Sequence, residues 1–279
     1  MSAPYPFLKG HGTENDFVLL PDHDGTVHGG LDEAAWETRV RALCHRRAGI
    51  GGDGVLRVVR STRPEDGAWF MDYRNADGSV SEMCGNGVRV FALHLVQEGL
   101  ADPAAPIAVG TRDGVKTVTV EDDGRLTVDM GPTRLLGTTE VSLDGRTWAA
   151  THVDVGNPHA VAFLADGEDL DGLSGPGQPL APPTYDAAVY PAGVNVELVV
   201  RRGPHHVALR VHERGSGETR SCGTGACAVM AAAAAADGAP EGTAYQVDVP
   251  GGSLSIAVVD GRVRMTGPAV VLARGTTTL

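Results

Sequence analysis

The chain has 279 residues, enough for one large domain or two of roughly 140, because single cores stop growing near ~250 to 300 residues. Its net charge of −12, with no basic stripe, would repel nucleic acid and anionic membranes, so we expect neither partner. The N-terminus has no secretory leader, no apolar run could cross a membrane, and four cysteines are too few for a secreted disulfide framework, which predicts a cytoplasmic protein.

The first half of the chain is predicted to combine strands with two helices. The strand-like segments are FVLL, WFMDYR and VKTVTV. The segment LDEAAWETRVRALCHRR, near 31–47, has the spacing of an amphipathic helix that packs on the outside. A second helical run, VRVFALHLVQEG, follows Cys84 and ends in glycine, as helices often do. A hairpin with an Asp-Gly turn at 123/124 then leads to Gly-Pro at 131/132.

The second half repeats this order. The strands HAVAFL, VNVELVV and HVALRVHE precede Cys222, the helical run ACAVMAAAAAADG and a hairpin with an Asp-Gly turn at 260/261. The two Gly-Pro pairs lie 48 and 46 residues past their cysteines. The period of roughly 140 residues is too long for a solenoid and indicates a duplicated domain. We expect an α+β fold in which strands surround one apolar helix per half, and the alanine run lets the second helix lie close to its strands.

The repeat also predicts the domain boundaries. One half, with Cys84, comprises residues 1–129 with 269–279, and the other, with Cys222, comprises residues 130–268. Two related halves suggest a pseudo-twofold axis with both cysteines facing a shared cleft, where small-molecule sites tend to lie.

Each half contains a Cys-Gly-polar-Gly motif at the start of its helix, at Cys84 and at Cys222. A helix N-terminus offers unpaired N–H groups and a positive dipole end, which can lower a thiol pKa to ~3.5 to 7.5. Glycines let the backbone N–H groups of residues 85–87 and 223–225 hold an anion such as a carboxylate. A single motif of this kind would more often mark only a buried cysteine and a turn, but the duplication favours a functional pair.

Two opposed thiols have the chemistry that inversion at a carbon requires. One thiolate removes the α-proton from one face, and the opposite thiol delivers a proton to the other. The helix ends stabilise the charge that develops on the carboxylate, in place of an electron-sink cofactor. The sequence has no metal-ligand spacing, dinucleotide fingerprint or P-loop, so we expect neither a metal nor a cofactor.

These motifs resemble the diaminopimelate epimerase family over essentially the whole chain. The matching segments are HGTENDF, RNADGSVSEMCGNGVR, VGNPHAV, GVNVEL and ERGSGETRSCGTGACA, in the family's order. The resemblance implies two homologous β-barrel-like domains, each wrapped around a central helix, that close over LL- or meso-diaminopimelate. It also implies a homodimer and a cofactor-independent epimerase of lysine and peptidoglycan-precursor biosynthesis.

The resemblance assigns roles residue by residue. Cys84 and Cys222 match the two catalytic acid/bases, and His159 and Glu213 match residues that assist them. The substrate-binding positions matched are Asn15, Asn75, Gly85, Asn86, Asn157, Asn195, Glu213, Arg214, Gly223 and Thr224. A bidentate contact from Arg214 to the distal carboxylate would explain selectivity for a diacid.

The sequence departs from the family pattern in two places. Thr13 and Glu14 replace Leu-Gly in the segment before Asn15, and Gly54 stands where some relatives carry a substrate-contacting Gln. We therefore assign no role to the side chain at position 54.

Three alternatives stay open from the residues alone. A racemase of another amino acid, of the proline racemase type, also opposes two cysteines, although that group has His where Asn86 stands here. A thiol hydrolase would use one cysteine with His159 and leave the other unexplained. A non-catalytic amino-acid-binding protein would leave the α-proton in place. Cys44 and Cys227 are expected to be core residues.

Overall fold

The computed structural model of the chain describes residues 3–63 and 67–279, and it has the predicted α+β architecture of many strands with few helices. Contacts divide the chain into two compact units, Met1–Val128 with Gly267–Leu279 and Asp129–Thr266. No helix within the described ranges is long and apolar enough to span a membrane.

Among its described residues, the first unit contains two α-helices between its strands. Its elements are β1 (Tyr5–Gly12), β2 (Asn15–Pro21), α1 (Glu33–Cys44), β3 (Gly54–Arg60), β4 (Trp69–Asn75), α2 (Gly85–Gln97), β5 (Ile107–Thr111), β6 (Gly114–Val120), the start of β7 (Leu126–Gly131) and β18 (Val270–Thr277).

The second unit contains one α-helix and a short 3-10 turn at Leu170–Gly172. Its elements are β8 (Arg134–Leu143), β9 (Arg146–Asp154), β10 (Pro158–Phe163), β11 (Thr184–Tyr185), β12 (Asn195–Gly203), β13 (His206–Glu213), β14 (Gly217–Thr219), α3 (Gly223–Asp237), β15 (Tyr245–Val249), β16 (Gly252–Val259) and most of β17 (Arg262–Gly267).

Strand pairing follows the same order in both units. In the first, β2 is parallel to β3, β3 antiparallel to β4, β4 parallel to β5, and β5 to β7 form antiparallel hairpins. In the second, β10, β12, β13 and β15 to β17 repeat this sequence of parallel and antiparallel pairs. The predicted hairpin at 260/261 forms between β16 and β17, and both turn residues have positive φ, which Asp-Gly tolerates.

Each unit surrounds one apolar helix with strands. Helix α2 packs against β1, β2, β3, β5, β6 and β18, and α3 against β9, β10, β12, β13, β15 and β16. The expectation that strands surround α3 is right from Gly223 to Ala233, where every residue except the half-buried Thr224 is buried, and wrong for residues 235–237 of the last turn, which are exposed. The alanines in this last turn are therefore explained by their high helix propensity and not by close packing against strands.

Helix α1 is shorter than the sequence suggests. It begins at Glu33, capped by Asp32, and ends at Cys44 instead of reaching residue 47. The ring of His45 accepts the N–H groups of Arg47 and Ala48, which turns the chain after the last helical residue. The buried side of the helix, which includes Cys44, packs in a cluster with β2 and β3, and Cys227 is fully buried in α3, so both cysteines are core residues as predicted.

Candidate active site

Both motif cysteines are the N-caps of their helices, as the sequence predicts. Cys84 precedes α2 and Cys222 precedes α3, and both have extended backbones. The first intrahelical bonds run from Val88 N to Cys84 O at 2.8 Å and from Ala226 N to Cys222 O at 2.9 Å. Earlier N–H groups of a helix have no partner within it, so each cysteine lies beside an end that can receive an anion.

In the first unit, the thiol of Cys84 contacts the side chain of Asn15. The sulfur lies 3.4 Å from Asn15 Oδ1, and the amide nitrogen of Asn86 lies 3.3 Å from the same oxygen. Asn15 Nδ2 donates to Asp53 Oδ2 at 2.7 Å. The carboxamide of Asn15 is therefore fixed at both ends, with its oxygen toward the thiol.

A charged network holds Asp53 in place beneath Asn15. Arg46 bonds Asp53 Oδ1 at 2.6 Å and both carboxylate oxygens of Asp16 at 2.7 and 3.0 Å. Burial acts to raise the pKa of Asp16, but hydrogen bonds from Arg46 and Lys9 hold that pKa well below its usual range. Burial raises the pKa of Asp53, and the Asp16 charge adds to the effect. No sequence motif predicts this support for Asn15, because Asp53 and Arg46 come from segments distant along the chain.

The amide of Asn86 is occupied within the protein. The guanidinium of Arg89, fully buried, donates to Asn86 Oδ1 at 2.8 Å and lies 3.4 Å from the hydroxyl of Thr13. A ligand contact from Asn86 would therefore come from its backbone N–H. Thr13, one of the departures from the family pattern, takes part in this network.

Asn75 and Gly54 lie opposite each other on β4 and β3. The amide of Asn75 donates to Ser79 Oγ at 3.0 Å and organises the turn after β4. A Cβ at position 54 would lie 2.4 Å from Arg74 O and 2.6 Å from Tyr73 Cε2. A side chain there would require a backbone shift, which explains why the position matching a substrate-contacting Gln is glycine in this chain.

In the second unit, Cys222 is surrounded by hydrogen-bonding groups. Its sulfur lies 3.4 Å from Gly225 N and 3.5 Å from Thr224 Oγ1. The thiol also forms a hydrogen bond with the carboxylate of Glu213. The hydroxyl of Thr219 also donates to Glu213. The carboxylate of Glu213 is therefore placed to exchange a proton with the thiol.

The expectation of a lowered thiol pKa is wrong for Cys222 in this structure. Burial raises its pKa well above the ordinary value, and the carboxylates of Glu213 and Glu197 raise it further. Hydrogen bonds from Thr224 and Gly225 favour the thiolate without reversing the shift. Cys222 is thus a protonated thiol at neutral pH, the form that a proton donor needs. Burial also raises the pKa of Glu213.

His159, Asn157 and Thr224 form a chain of contacts that ends at Cys222. His159 Nε2 lies 3.0 Å from Asn157 Oδ1, and Asn157 Nδ2 lies 3.4 Å from Thr224 Oγ1. His159 Nδ1 lies 2.7 Å from an oxygen of Glu197, and both side chains are fully buried. Glu197 was missed in the sequence, where the signal was an acidic residue within the apolar strand VNVELVV.

Asn195 and Arg214 are linked to each other. Asn195 Oδ1 accepts the backbone N–H of Arg214 at 2.9 Å, and its Nδ2 lies 3.3 Å from Pro158 O. The side chain of Arg214 is exposed and reaches Ala192 O at 3.3 Å, and no ion pair with Glu213 or another described carboxylate holds it. Asn195 therefore positions Arg214, whose guanidinium stays available to a ligand.

The remaining predicted positions are Gly85 and Gly223, the first residues of α2 and α3. The structure thus groups Cys84, Asn15, Gly85 and Asn86 in the first unit. In the second unit it groups Cys222, Asn157, His159, Glu213, Gly223 and Thr224.

Comparison with known proteins agrees with this arrangement of motifs. The sequence model described as diaminopimelate epimerase matches residues 7–136 and 151–272. A diaminopimelate epimerase of Streptomyces coelicolor is 56% identical, with 99% of this chain and 96% of that protein covered. One from Thermobifida fusca is 49% identical, with 96% of each covered.

The fold also resembles that of a phenazine biosynthesis protein of the PhzF family from Bacillus anthracis. The TM-score is 0.69 at 14% identity, with 99% of this chain and all of the other covered, so this likeness concerns the fold alone. The family model and the sequence relatives span nearly the whole chain. The protein therefore belongs to the diaminopimelate epimerase family of isomerases.

Proposed function

We propose that the protein interconverts LL- and meso-diaminopimelate by a two-base mechanism in which Cys84 and Cys222 act on opposite faces of one α-carbon. The observation that supports this most is the duplicated cap: each unit begins its central helix with a cysteine beside an anion-binding end. Names of close relatives supply the substrate. The pathway proposed is lysine and peptidoglycan-precursor synthesis.

In this mechanism the substrate α-carboxylate binds at the N–H groups of the helix ends, at Gly85 and Asn86 and at Gly223 and Thr224. One sulfur, as thiolate, takes the α-proton, and the developing enediolate charge is stabilised by these donors. The other sulfur, as thiol, donates its proton to the opposite face. No electron-sink cofactor is required by this scheme.

The surroundings of Cys222 support a role as proton donor when the reaction starts from the isomer that Cys84 deprotonates. Its raised pKa keeps the proton on sulfur until the carbanion forms. Glu213 would take the proton from Cys222 when the reaction runs in the opposite direction, and His159 assists the same sulfur. Reversal of roles between the two sulfurs makes the enzyme work in both directions.

Recognition of the distal end is assigned to Arg214 and the asparagines. A guanidinium binds a carboxylate through two parallel hydrogen bonds, and Arg214 has no carboxylate partner among the described residues. Asn15, Asn75, Asn157 and Asn195 are proposed to bind substrate or to fix the groups that do. This set would favour a diamino diacid over proline, which lacks a second carboxylate.

The test uses purified protein with LL-diaminopimelate, Cys84→Ala and Cys222→Ala variants, and chiral analysis of the product. Wild-type protein should form the meso isomer, and each variant should lose inversion by at least about 10²-fold, the scale of a general acid or base. Cys227→Ala, a buried cysteine of the same helix as the second motif, serves as the control and should keep its activity. Full activity in both motif variants would refute the mechanism, and proline turnover in place of diaminopimelate would refute the substrate.

We further propose a cytoplasmic homodimer. Family resemblance supports the dimer, and the biosynthetic role supports the location. Light scattering of the purified chain should give twice the mass of one 28.9 kDa chain, and a monomer at assay concentration would exclude the dimer as the active form.

A further inference from the structure

Glu197 is a buried carboxylate whose position needs a physical reason. It is fully buried in β12, one oxygen contacts His159 Nδ1 at 2.7 Å, and its Oε2 has no hydrogen-bond partner among the described residues. A buried, half-satisfied carboxylate costs several kcal/mol by order of magnitude unless a partner offsets it. A residue retained at this cost is a candidate for function.

The homologous position in the first unit shows that the fold does not require the carboxylate. His159 pairs with Asn195 across parallel strands, as Phe17 pairs with Gly54 in the first unit, so Phe17 corresponds to His159. Two residues further along the second strand of each pair, Leu56 corresponds to Glu197.

The glycines three residues after each cysteine, Gly87 and Gly225, lie against these corresponding residues. A Cβ on Gly87 would meet Leu56 and Phe17, whereas a Cβ on Gly225 would meet Glu197 Oε1 and Cys222. One unit therefore packs two apolar side chains beneath its cysteine, and the other buries an acid and a histidine. The charged pair is a specific property of the Cys222 side.

The hydrogen bonds around this pair have a consistent direction. Glu197 accepts from Nδ1 of His159, which leaves Nε2 as the ring nitrogen that faces Asn157 Oδ1. Nε2 lies 3.0 Å from that oxygen, within hydrogen-bond distance, so the ring and the carboxamide hold each other in place. The carboxamide nitrogen of Asn157 then donates toward the Thr224 hydroxyl, and that hydroxyl is directed at the Cys222 sulfur.

We propose that Glu197 is a positioning residue that acts on Cys222 through His159. It fixes the imidazole ring and its Nδ1 hydrogen. The fixed ring orients the carboxamide of Asn157 and, through it, the hydroxyl of Thr224, which donates to the sulfur when Cys222 is a thiolate. The role resembles that of a carboxylate that holds a catalytic imidazole in place by its Nδ1 hydrogen. The expected loss of kcat rests on the proposed function, whereas the expected hydrogen bond between Glu197 and His159 does not.

The kinetic test is a double-mutant cycle with a matched pair of substitutions. The variants are Glu197→Leu, His159→Phe and the double variant. The double variant copies Leu56 and Phe17, the apolar pair next to Cys84, so its side chains are compatible with this fold. Glu197→Leu should lower kcat at least about 10-fold with KM within about twofold, because positioning of the acid/base group acts on the chemical step. The double variant should be no slower than His159→Phe alone, since the carboxylate acts only through the ring.

The spectroscopic test reads the ring directly. In protein labelled with 15N-histidine, His159 should show an Nδ1-bound proton that is shifted strongly downfield by its hydrogen bond to the carboxylate. In Glu197→Gln the downfield proton should disappear, while circular dichroism stays unchanged.

Three outcomes would overturn the proposal: an unprotonated Nδ1 in the wild type, a Glu197→Leu variant with wild-type kcat, or a double variant slowed by the product of the two single effects. If the wild-type protein proved inactive on diaminopimelate, the proposed function would fail. The NMR signature would still test the Glu197–His159 arrangement.

Discussion

Buried His94 should make the protein lose stability in mild acid. It lies on α2, is 1% exposed, and neither ring nitrogen has a hydrogen-bond partner among residues 3–63 and 67–279. Burial lowers the pKa of His94 to about 4. The nearby Glu98 opposes this shift, and His23 and Arg274 add to it.

The direction and size of this loss of stability follow from the difference in proton binding between the folded and the unfolded chain. Above pH ~6.5, the usual histidine pKa, the ring is neutral in both the folded and the unfolded chain, so His94 does not reduce the free energy of unfolding there. As pH falls toward about 4, only the unfolded chain binds the proton, so the free energy of unfolding drops. The loss amounts to about 2 kcal/mol at pH 5 and about 3 kcal/mol once the pH is below both pKa values.

The assay compares urea unfolding of wild-type protein and His94→Leu at about pH 7.5 and about pH 5, followed by tryptophan fluorescence. The difference in unfolding free energy between the two pH values should be smaller in the variant by about 2 kcal/mol. His205→Asn is the matched control, because His205 is exposed and has a positive φ that Asn tolerates. An equal pH difference in wild type and His94→Leu would refute the reasoning.

Two further predictions concern the site. Gly225→Ala would place a Cβ 2.6 Å from Glu197 Oε1 and should lower kcat at least about 10-fold, whereas in Gly87→Ala the nearest atom is a Leu56 methyl at 3.3 Å, so kcat should stay within about threefold. Equal losses of kcat in the two variants would contradict the asymmetry between the units. Arg214→Lys should raise KM for diaminopimelate about 10-fold with little change in kcat, because lysine cannot form a bidentate pair with a carboxylate. An unchanged KM in steady-state assays would remove Arg214 from substrate binding.

Local sequence signals predicted the elements that carry the thiols. Cys-Gly-polar-Gly before an apolar run placed Cys84 and Cys222 at helix starts, because glycines and a capping position are features of adjacent residues. The Asp-Gly pair at 260/261 predicted a hairpin through its tolerance of positive φ. The duplicated order of these signals was enough to predict the α+β architecture of two similar halves.

Features that depend on strand register could not be predicted from the sequence. The raised pKa of Cys222 comes from burial and from the carboxylates of Glu213 and Glu197. The family resemblance assigns Glu213 to the cysteines, but no local pattern shows that β12 places Glu197 beside the sulfur. The support of Asn15 by Asp53 and Arg46 joins segments more than 30 residues apart. The end of α1 at Cys44 depends on hydrogen bonds to the ring of His45, which an amphipathic pattern does not contain.

The central claim is that two different sulfurs serve the two faces of one carbon, and early deuterium incorporation tests it most directly. LL-diaminopimelate is incubated with the protein in deuterated water, and the α-position of recovered substrate and meso product is measured at low conversion. The two-base account predicts deuterium in the product and almost none in the remaining substrate, because the abstracted proton and the delivered proton reside on separate thiols. Comparable early labelling of substrate and product would indicate a single base that serves both faces, and it would contradict the account.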